Sequence, residues 1–394
     1  MLPSYYEFYN PVKILSGNKA VENIPFELDQ LGARRPIIIT DRGVAGAGLV
    51  RIIEKAFADT TLSIGAVYDE TPPDSSIETV NTIAGIYRKT GCDSIIAVGG
   101  GSAIDTAKGV NIVITENSED LMKFMGAEML KKTMKPFIVV PTTSGTGSEC
   151  TLVAVISNPA KNVKMAFTSY KLLPNVAVLD PRMTLTCPPK ITAATGMDAL
   201  THAMEGFYCN QKNPMSDAYA GAAIELVRDN LVEAVKNGKN ENARLAMANA
   251  ACMAGTAFSN SMVGMVHGLG HAAGAVCHIP HGIAMSIFLP FGLEYNSVKA
   301  ADPIGRLLVH WGGFDEYMKT PVAQRPARTV ELVRAMKDTL YGLCGLPRTL
   351  SEAGVPREKL PEIAKTATGD GSLLLNPEEL EYDDALRVLN EAYA

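Results

Sequence analysis

Two hydrophobic patterns divide this chain. Over roughly the first 180 residues, short apolar runs rich in β-branched residues alternate with amphipathic stretches. PIIIT at 36–40, SIGAVY at 63–68, the apolar run from 94, the run from 136 and VAVLDP at 176–181 read as strands. Their near-continuous apolarity is that of strands buried on both faces. Stretches 48–58 and 77–90 read as helices, and SIIAVGGGSAIDTAKG at 94–109 reads as strand, glycine loop and helix. Alternation of this kind predicts a parallel sheet covered on both sides. Tyr5, Tyr6, Phe8 and Tyr9 suggest an additional early strand or an intersubunit contact. After TCPPK at 186–190 the period changes to that of helices, over 191–208, 215–237, 241–260, 262–276, 283–297, 328–342 and 378–393. No further β-run is evident, and 311–326 reads as an exposed loop. The predicted architecture is an α/β parallel-sheet nucleotide-binding domain over 1–187 and an all-α domain over 188–394.

Composition narrows the function. At 394 residues, 47% hydrophobic and 20% charged, the chain is an ordinary globular enzyme in its proportions. A net charge of −6 and the lack of a basic, aromatic-interleaved cluster argue against a nucleic-acid partner. The N-terminal segment lacks the pattern of a signal peptide, and no run is long enough for a membrane helix. Seven cysteines without a CxxC pair fit reduced thiols in a cytoplasmic protein.

The candidate chemistry concentrates in one stretch. VHGLGHAAGAVCHIPHG at 266–282 holds four of the six histidines. His267 and His271 are four apart and share a helical face, while Pro280 can end the helix and turn His281 back. Gly264, Gly268, Gly270 and Gly274 signal close approach to the backbone. Upstream, GMDALTHAMEGFY at 196–208 places Asp198 and His202 four apart among apolar neighbours, where a carboxylate and an imidazole are costly unless paired or bound to metal. One carboxylate with two or three imidazoles suits Fe, Zn, Mn or Co. Cys277 is a possible soft ligand, though a core thiol is the simpler reading.

Two loops follow predicted parallel strands. Gly99, Gly100 and Gly101 precede Ser102, which can cap the next helix with Asp105 in the capping-box position. Such a turn presents free N–H groups to phosphate, although a plain tight turn has the same pattern. TTSGTGSE at 142–149 adds a hydroxyl-rich loop that belongs at the same carboxyl edge of the sheet. The usual GxGxxG fingerprint is absent. Asp41 closes the first strand, where an acid can bind both ribose hydroxyls and repel a 2′-phosphate, favouring NAD over NADP; a helix cap is the competing role.

GGGSAIDTAKG at 99–109, PTTSGTGSE at 141–149, GMDALTHAMEGF at 196–207 and VHGLGHAAGA with HIPHG at 266–282 together resemble the iron-containing, group III alcohol dehydrogenase family, of dehydroquinate synthase-like fold. The resemblance implies metal ligation by Asp198, His202, His267 and His281, with Fe²⁺ expected and Zn²⁺ the alternative. It implies a proton-relaying His271 and a non-ligating His278. It also implies NAD contacts from Asp41, Gly99, Gly100, Gly101, Ser102, Asp105, Thr142, Thr143, Thr146 and Lys164. The expected reaction interconverts a small primary alcohol or diol and its aldehyde in a cytoplasmic homo-oligomer, a dimer or larger. A substrate pocket is expected from Leu152, Val153, Phe258 and Met262, and CTLVAVIS at 150–157 departs from many relatives. The competing activities are a zinc-dependent glycerol dehydrogenase, a dehydroquinate synthase-type lyase, and a metal-dependent nucleotide hydrolase, for which Glu205 is the only acid near the ligands in sequence.

Overall fold

The computed structural model describes residues 3–161 and 163–394; Met1, Leu2 and Asn162 lie outside the described residues. It divides into two compact units. The first comprises Tyr9–Thr143 and Gly147–Cys187. Its strands are β1 (Lys13–Ser16), β2 (Pro36–Ile39), β3 (Ala66–Tyr68), β4 (Ser94–Gly99), β5 (Gly126–Ala127), β6 (Phe137–Pro141), β7 (Val153–Asn158), β8 (Val163–Thr168) and β9 (Val176–Leu179). Its helices are α1 (Ile24–Gln30), α2 (Arg42–Gly46), α3 (Leu49–Ala56), α4 (Ile77–Thr90) and α5 (Gly101–Glu116).

Six strands form one parallel sheet in the order β1-β9-β6-β4-β2-β3. Alternate residues of each strand enter different cores. Ile37, Ile39, Ile95, Ala97, Phe137 and Val139 pack on one face, and Ile38, Ile96, Val98, Ile138 and Val140 on the other. Two-sided burial explains why these strands read as unbroken apolar runs. Because β2, β4 and β6 are neighbours, the loops that follow them share one carboxyl edge.

Sequence pattern missed part of this unit. Segment 150–168 contains a hairpin, β7 paired antiparallel with β8, and β5 completes a second, three-stranded sheet. The expected strand at Tyr5–Tyr9 is not formed. Phe8 instead stacks on Tyr219, Tyr9 meets Tyr170 edge-on, and the first strand is Lys13–Ser16.

The second unit is helical and comprises Pro188–Ala394, the described N-terminal residues through Phe8, and Ser144–Thr146 from the hydroxyl-rich loop. Its helices are α6 (Pro189–Tyr208), α7 (Pro214–Lys236), α8 (Glu241–Ser259), α9 (Met265–Cys277), α10 (His281–Asn296), α11 (Ala301–Trp311), α12 (Phe314–Lys319), α13 (Arg325–Cys344), α14 (Leu360–Ala367) and α15 (Tyr382–Glu391). The region 311–326, expected as a loop, contains α12, whose residues remain outside the core. Helix α6 is the axis of the unit. From Met197 to Tyr208 every residue is buried, and α7, α8 and α10 all pack on it. It is therefore not amphipathic, and it carries polar side chains into an apolar interior where each needs a partner.

Candidate metal centre and nucleotide loops

Asp198, His202 and Glu205 leave α6 on one face, following the helical spacing i, i+4 and i+7. Helix α9 supplies His267 and His271, and His281 opens α10 directly after Pro280. One donor atom from each of Asp198, His202, His267 and His281 falls in a cluster whose members all lie within 4.8 Å of one another. Asp198 Oδ1 is 3.6 Å from His202 Nδ1 and 3.3 Å from His281 Nε2. Asp198 Oδ1, His202 Nδ1 and His267 Nε2 are buried without a hydrogen-bond partner among the described residues. Buried polar atoms are rarely left unpaired. Three converging on one point, beside a fourth imidazole, fit a divalent cation, and one carboxylate with three imidazoles is a donor set for iron or zinc.

The electrostatics agree with a ligand role. Burial drives His202 down to about 3 against the opposing pull of Asp198, and drives His267 well below its ordinary value with further repulsion from His281 and His271. Both rings are thus neutral, as metal ligation requires. Burial alone would raise Asp198, but the imidazoles around it more than offset that, and its carboxyl lies below its ordinary value. Phe258 stacks on His202, ring centroids 4.3 Å apart, and closes one side of the centre.

The remaining histidine-stretch residues separate clearly. His271 is half exposed, and its Nδ1 is 2.9 Å from Asp370 Oδ2. Asp370 is held at about 2, its burial outweighed by His271 and Ser372. His278 is exposed and caps α9 in the left-handed conformation, φ 56°. Cys277 is only partly buried and lies outside the metal cluster, and burial pushes its thiol up.

Sequence reasoning missed two partners. Glu205, considered there only as a hydrolase acid, is fully buried and hydrogen-bonds His267 Nδ1. Its place on the Asp198–His202 helical face was the available signal. Asp370 had none, since it lies 99 residues beyond His271.

In the sheet unit, Gly100 rather than Ser102 is the N-cap of α5, and no side chain caps it. A Cβ on Gly100 would sit 3.1 Å from Thr143 Oγ1, and Gly99 adopts φ 158° with its Cβ position 3.5 Å from Asp41 Oδ2. Asp41, Gly99, Gly100 and Thr143 are thus brought together at the carboxyl ends of β2, β4 and β6. The bare cradle and uncapped helix fit a pyrophosphate. Asp41 also caps α2, accepting from Val44 N at 3.0 Å through Oδ1, so the competing reading of this acid describes one of its oxygens.

Asp105 is not a capping-box acid. Its carboxylate accepts from Ser148 Oγ at 2.9 Å and from Val155 N at 3.0 Å, fastening α5 to the segment after the second loop. Fully buried Lys108 reinforces this, donating to Ser148, Thr151 and Val153. Burial lowers it to about 8, despite Asp105 and Glu149. Lys164 on β8 pairs with Asp74 at 3.1 Å. Thr146 belongs to the segment counted with the helical unit, where Gly145 meets Thr195 closely. Leu152 is buried in the sheet unit and Val153 begins β7, while Met262 adopts φ 65° just after α8.

A parallel sheet with a bare glycine loop at its carboxyl edge, and a histidine–carboxylate cluster on helices of the same chain, are the parts expected of a metal-linked dehydrogenase. Residues 11–181 match the family model described as iron-containing alcohol dehydrogenase, and residues 192–393 match its C-terminal companion. The chain is 33% identical to alcohol dehydrogenase 4 of Saccharomyces cerevisiae over 98% of both proteins. It is 32% identical to the NAD-dependent methanol dehydrogenase of Bacillus methanolicus, covering 98% of this chain and 99% of that one. A crystal structure of 1,3-propanediol oxidoreductase superposes with a TM-score of 0.94 at 30% identity, covering 99% of this chain and all of the other. The chain belongs to the iron-containing alcohol dehydrogenase family.

Proposed function

We propose that this protein interconverts a small primary alcohol or diol and its aldehyde, with NAD bound by the sheet unit and a divalent metal, iron, held by Asp198, His202, His267 and His281. The observation that carries the metal assignment is the convergence of three buried, unpartnered donor atoms beside His281. The relatives support NAD and small alcohols, since those similar to this chain are named as alcohol, NAD-dependent methanol and propanediol enzymes. When bound, the metal supplies Lewis acidity toward an alcohol oxygen and the nicotinamide supplies the hydride acceptor.

The chain's own groups do the rest. The first-turn N–H groups of α5 and the hydroxyls of Thr142 and Thr143 bind pyrophosphate. Asp41 receives the ribose hydroxyls and repels a 2′-phosphate, which favours NAD over NADP. Phe258 shields the reacting centre from water. His271, with Nδ1 engaged by Asp370, offers Nε2 as a proton acceptor on the way to solvent. A cytoplasmic homo-oligomer is part of the same reading: β1 is an edge strand with exposed residues, Tyr5 is 79% exposed, and no disulfide links the described cysteines.

The test is metal content of anaerobically purified protein together with NAD reduction across a panel of primary alcohols and diols. One iron per chain, with activity lost on chelation and restored by Fe²⁺, is the expected result. An active, metal-free His267→Ala variant would sink the assignment.

A further inference from the structure

Glu205 is the fully buried acid of the helical unit whose position the reaction chemistry does not require. It sits on α6 one turn beyond His202, and its two oxygens have different tasks. Oε1 accepts from Val266 N at 2.8 Å, with Tyr208 Oη at 3.4 Å. Oε2 is hydrogen-bonded to His267 Nδ1. Helix α9 begins at Met265 after Gly264, which has no side chain to cap it. The first N–H groups of a helix need acceptors from elsewhere. Two distant side chains provide them: Glu205 to Val266, and Asn376 Oδ1 to Met265 N at 3.0 Å. Glu205 thus caps the helix that carries His267 and, with its second oxygen, engages the His267 ring itself.

An imidazole in its neutral form has one N–H and one lone pair, and the hydrogen bond at one nitrogen decides which is which. A carboxylate only accepts. An ionised Glu205 with Oε2 at Nδ1 keeps the proton of His267 on Nδ1 and leaves the lone pair on Nε2, the atom buried and unpartnered beside Asp198 and His202. Resting on the metal reading above, we infer that Glu205 is a positioning residue for the metal centre: it fixes the tautomer and orientation of His267 so that Nε2 is presented as a ligand, while holding the start of α9 in place. Carboxylate–imidazole pairs behind metal ligands act in this way generally.

The two tasks can be separated by substitution. In Glu205→Gln the amide oxygen stays with Val266 N, where an amide nitrogen would face another donor. The amide NH₂ then points at His267 Nδ1 and makes that nitrogen an acceptor. The proton moves to Nε2, and His267 is no longer a ligand. Glu205→Ala loses both the helix cap and the ring partner.

The experiment titrates metal-stripped full-length wild type, Glu205→Gln and Glu205→Ala with Co²⁺. It follows the visible cobalt absorption and competition with a chelator, with thermal unfolding of each metal-free protein measured alongside. Wild type is expected to take one Co²⁺ per chain. Glu205→Gln should unfold near the wild-type temperature yet bind Co²⁺ about 10–100-fold more weakly, with an altered absorption band. Glu205→Ala should lose metal affinity and unfold at lower temperature. Wild-type affinity and spectrum in Glu205→Gln would overturn the inference. So would metal-free Glu205→Gln being as unstable as Glu205→Ala, which would make Glu205 a packing residue. Failure of the wild type itself to bind Co²⁺ would instead overturn the metal reading and take this inference with it.

Discussion

Gly282→Ala tests whether the helix junction at the metal centre has any slack. Gly282 is the second residue of α10 and follows the ligand His281. A Cβ there would lie 2.6 Å from Ala194 O, 2.8 Å from Ala194 C and 3.3 Å from Thr195 N. All three are backbone atoms of α6, so no flexible side chain can yield. Ordinary contact begins near 3.4 Å, and α10 must therefore withdraw by roughly 0.8 Å. Overpacking of this kind costs about 1–3 kcal/mol. For a unit of this size each kcal/mol lowers the melting temperature by about 2–4 °C, so a fall of about 2–12 °C is expected in the metal-free protein. The shift also carries His281 away from Asp198, which lies one helical turn beyond Ala194. Metal–nitrogen distances tolerate only about 0.2 Å, so metal affinity should fall at least about tenfold. Calorimetry of the metal-free protein and Co²⁺ titration against a chelator measure the two effects. Gly274→Ala on α9 is the control. Its Cβ would meet only Ile279 O at 3.4 Å, and the better helix propensity of alanine should leave it neutral or more stable by up to about 1 kcal/mol. A Gly282→Ala protein that melts and binds metal like wild type would refute the close-approach argument.

Three further outcomes follow from other parts of the molecule. Asp41→Asn keeps an oxygen to cap α2 and removes the charge, so the ratio of NADP to NAD affinity should rise about tenfold or more with stability unchanged; an unaltered ratio in fluorescence titrations would remove Asp41 from the ribose site. Asp370→Asn removes the charged partner of His271, and kcat for alcohol oxidation should drop about tenfold while metal content stays at wild-type level; an unchanged kcat would argue against the relay. Lys337, buried on α13 with its ammonium on Ile287 O at 3.2 Å, is pushed by burial down to about 7. Because its folded value lies below the ordinary 10.5, the charged form penalises the fold fully below pH 7, and the penalty fades as pH rises from about 7 to 10.5. Lys337→Met should thus be more stable than wild type at pH 6, by on the order of 2 kcal/mol after the lost hydrogen bond, and the advantage should shrink toward pH 10. Denaturant unfolding at the two pH values measures it, and an equal difference at both would contradict the burial argument.

What local pattern alone determined is what repeats at short range. The strands β2, β4, β6 and β9 were legible because burial on both sides of a parallel sheet makes each an unbroken apolar run. The pairs Asp198–His202 and His267–His271 were legible because i and i+4 side chains share a helical face. The glycine loops were legible as departures from both periods. The antiparallel hairpin β7–β8 was not, because half-exposed strands next to a loop lack that apolar signature. Spacing left open which of the candidate histidines converge; the family resemblance named His202, His267 and His281, and the tertiary structure brings those three together with Asp198. Helix α9 sends His267 inward to Asp198 while His271, one turn on, reaches outward to Asp370, and the break at Pro280 returns His281 to the cluster. The structure also assigned Asp105 to fastening a loop and Glu205 to holding a ring. A polar side chain in an apolar interior must find a partner, and which partner it meets depends on helix packing across dozens of residues, a distance over which no sequence period carries information.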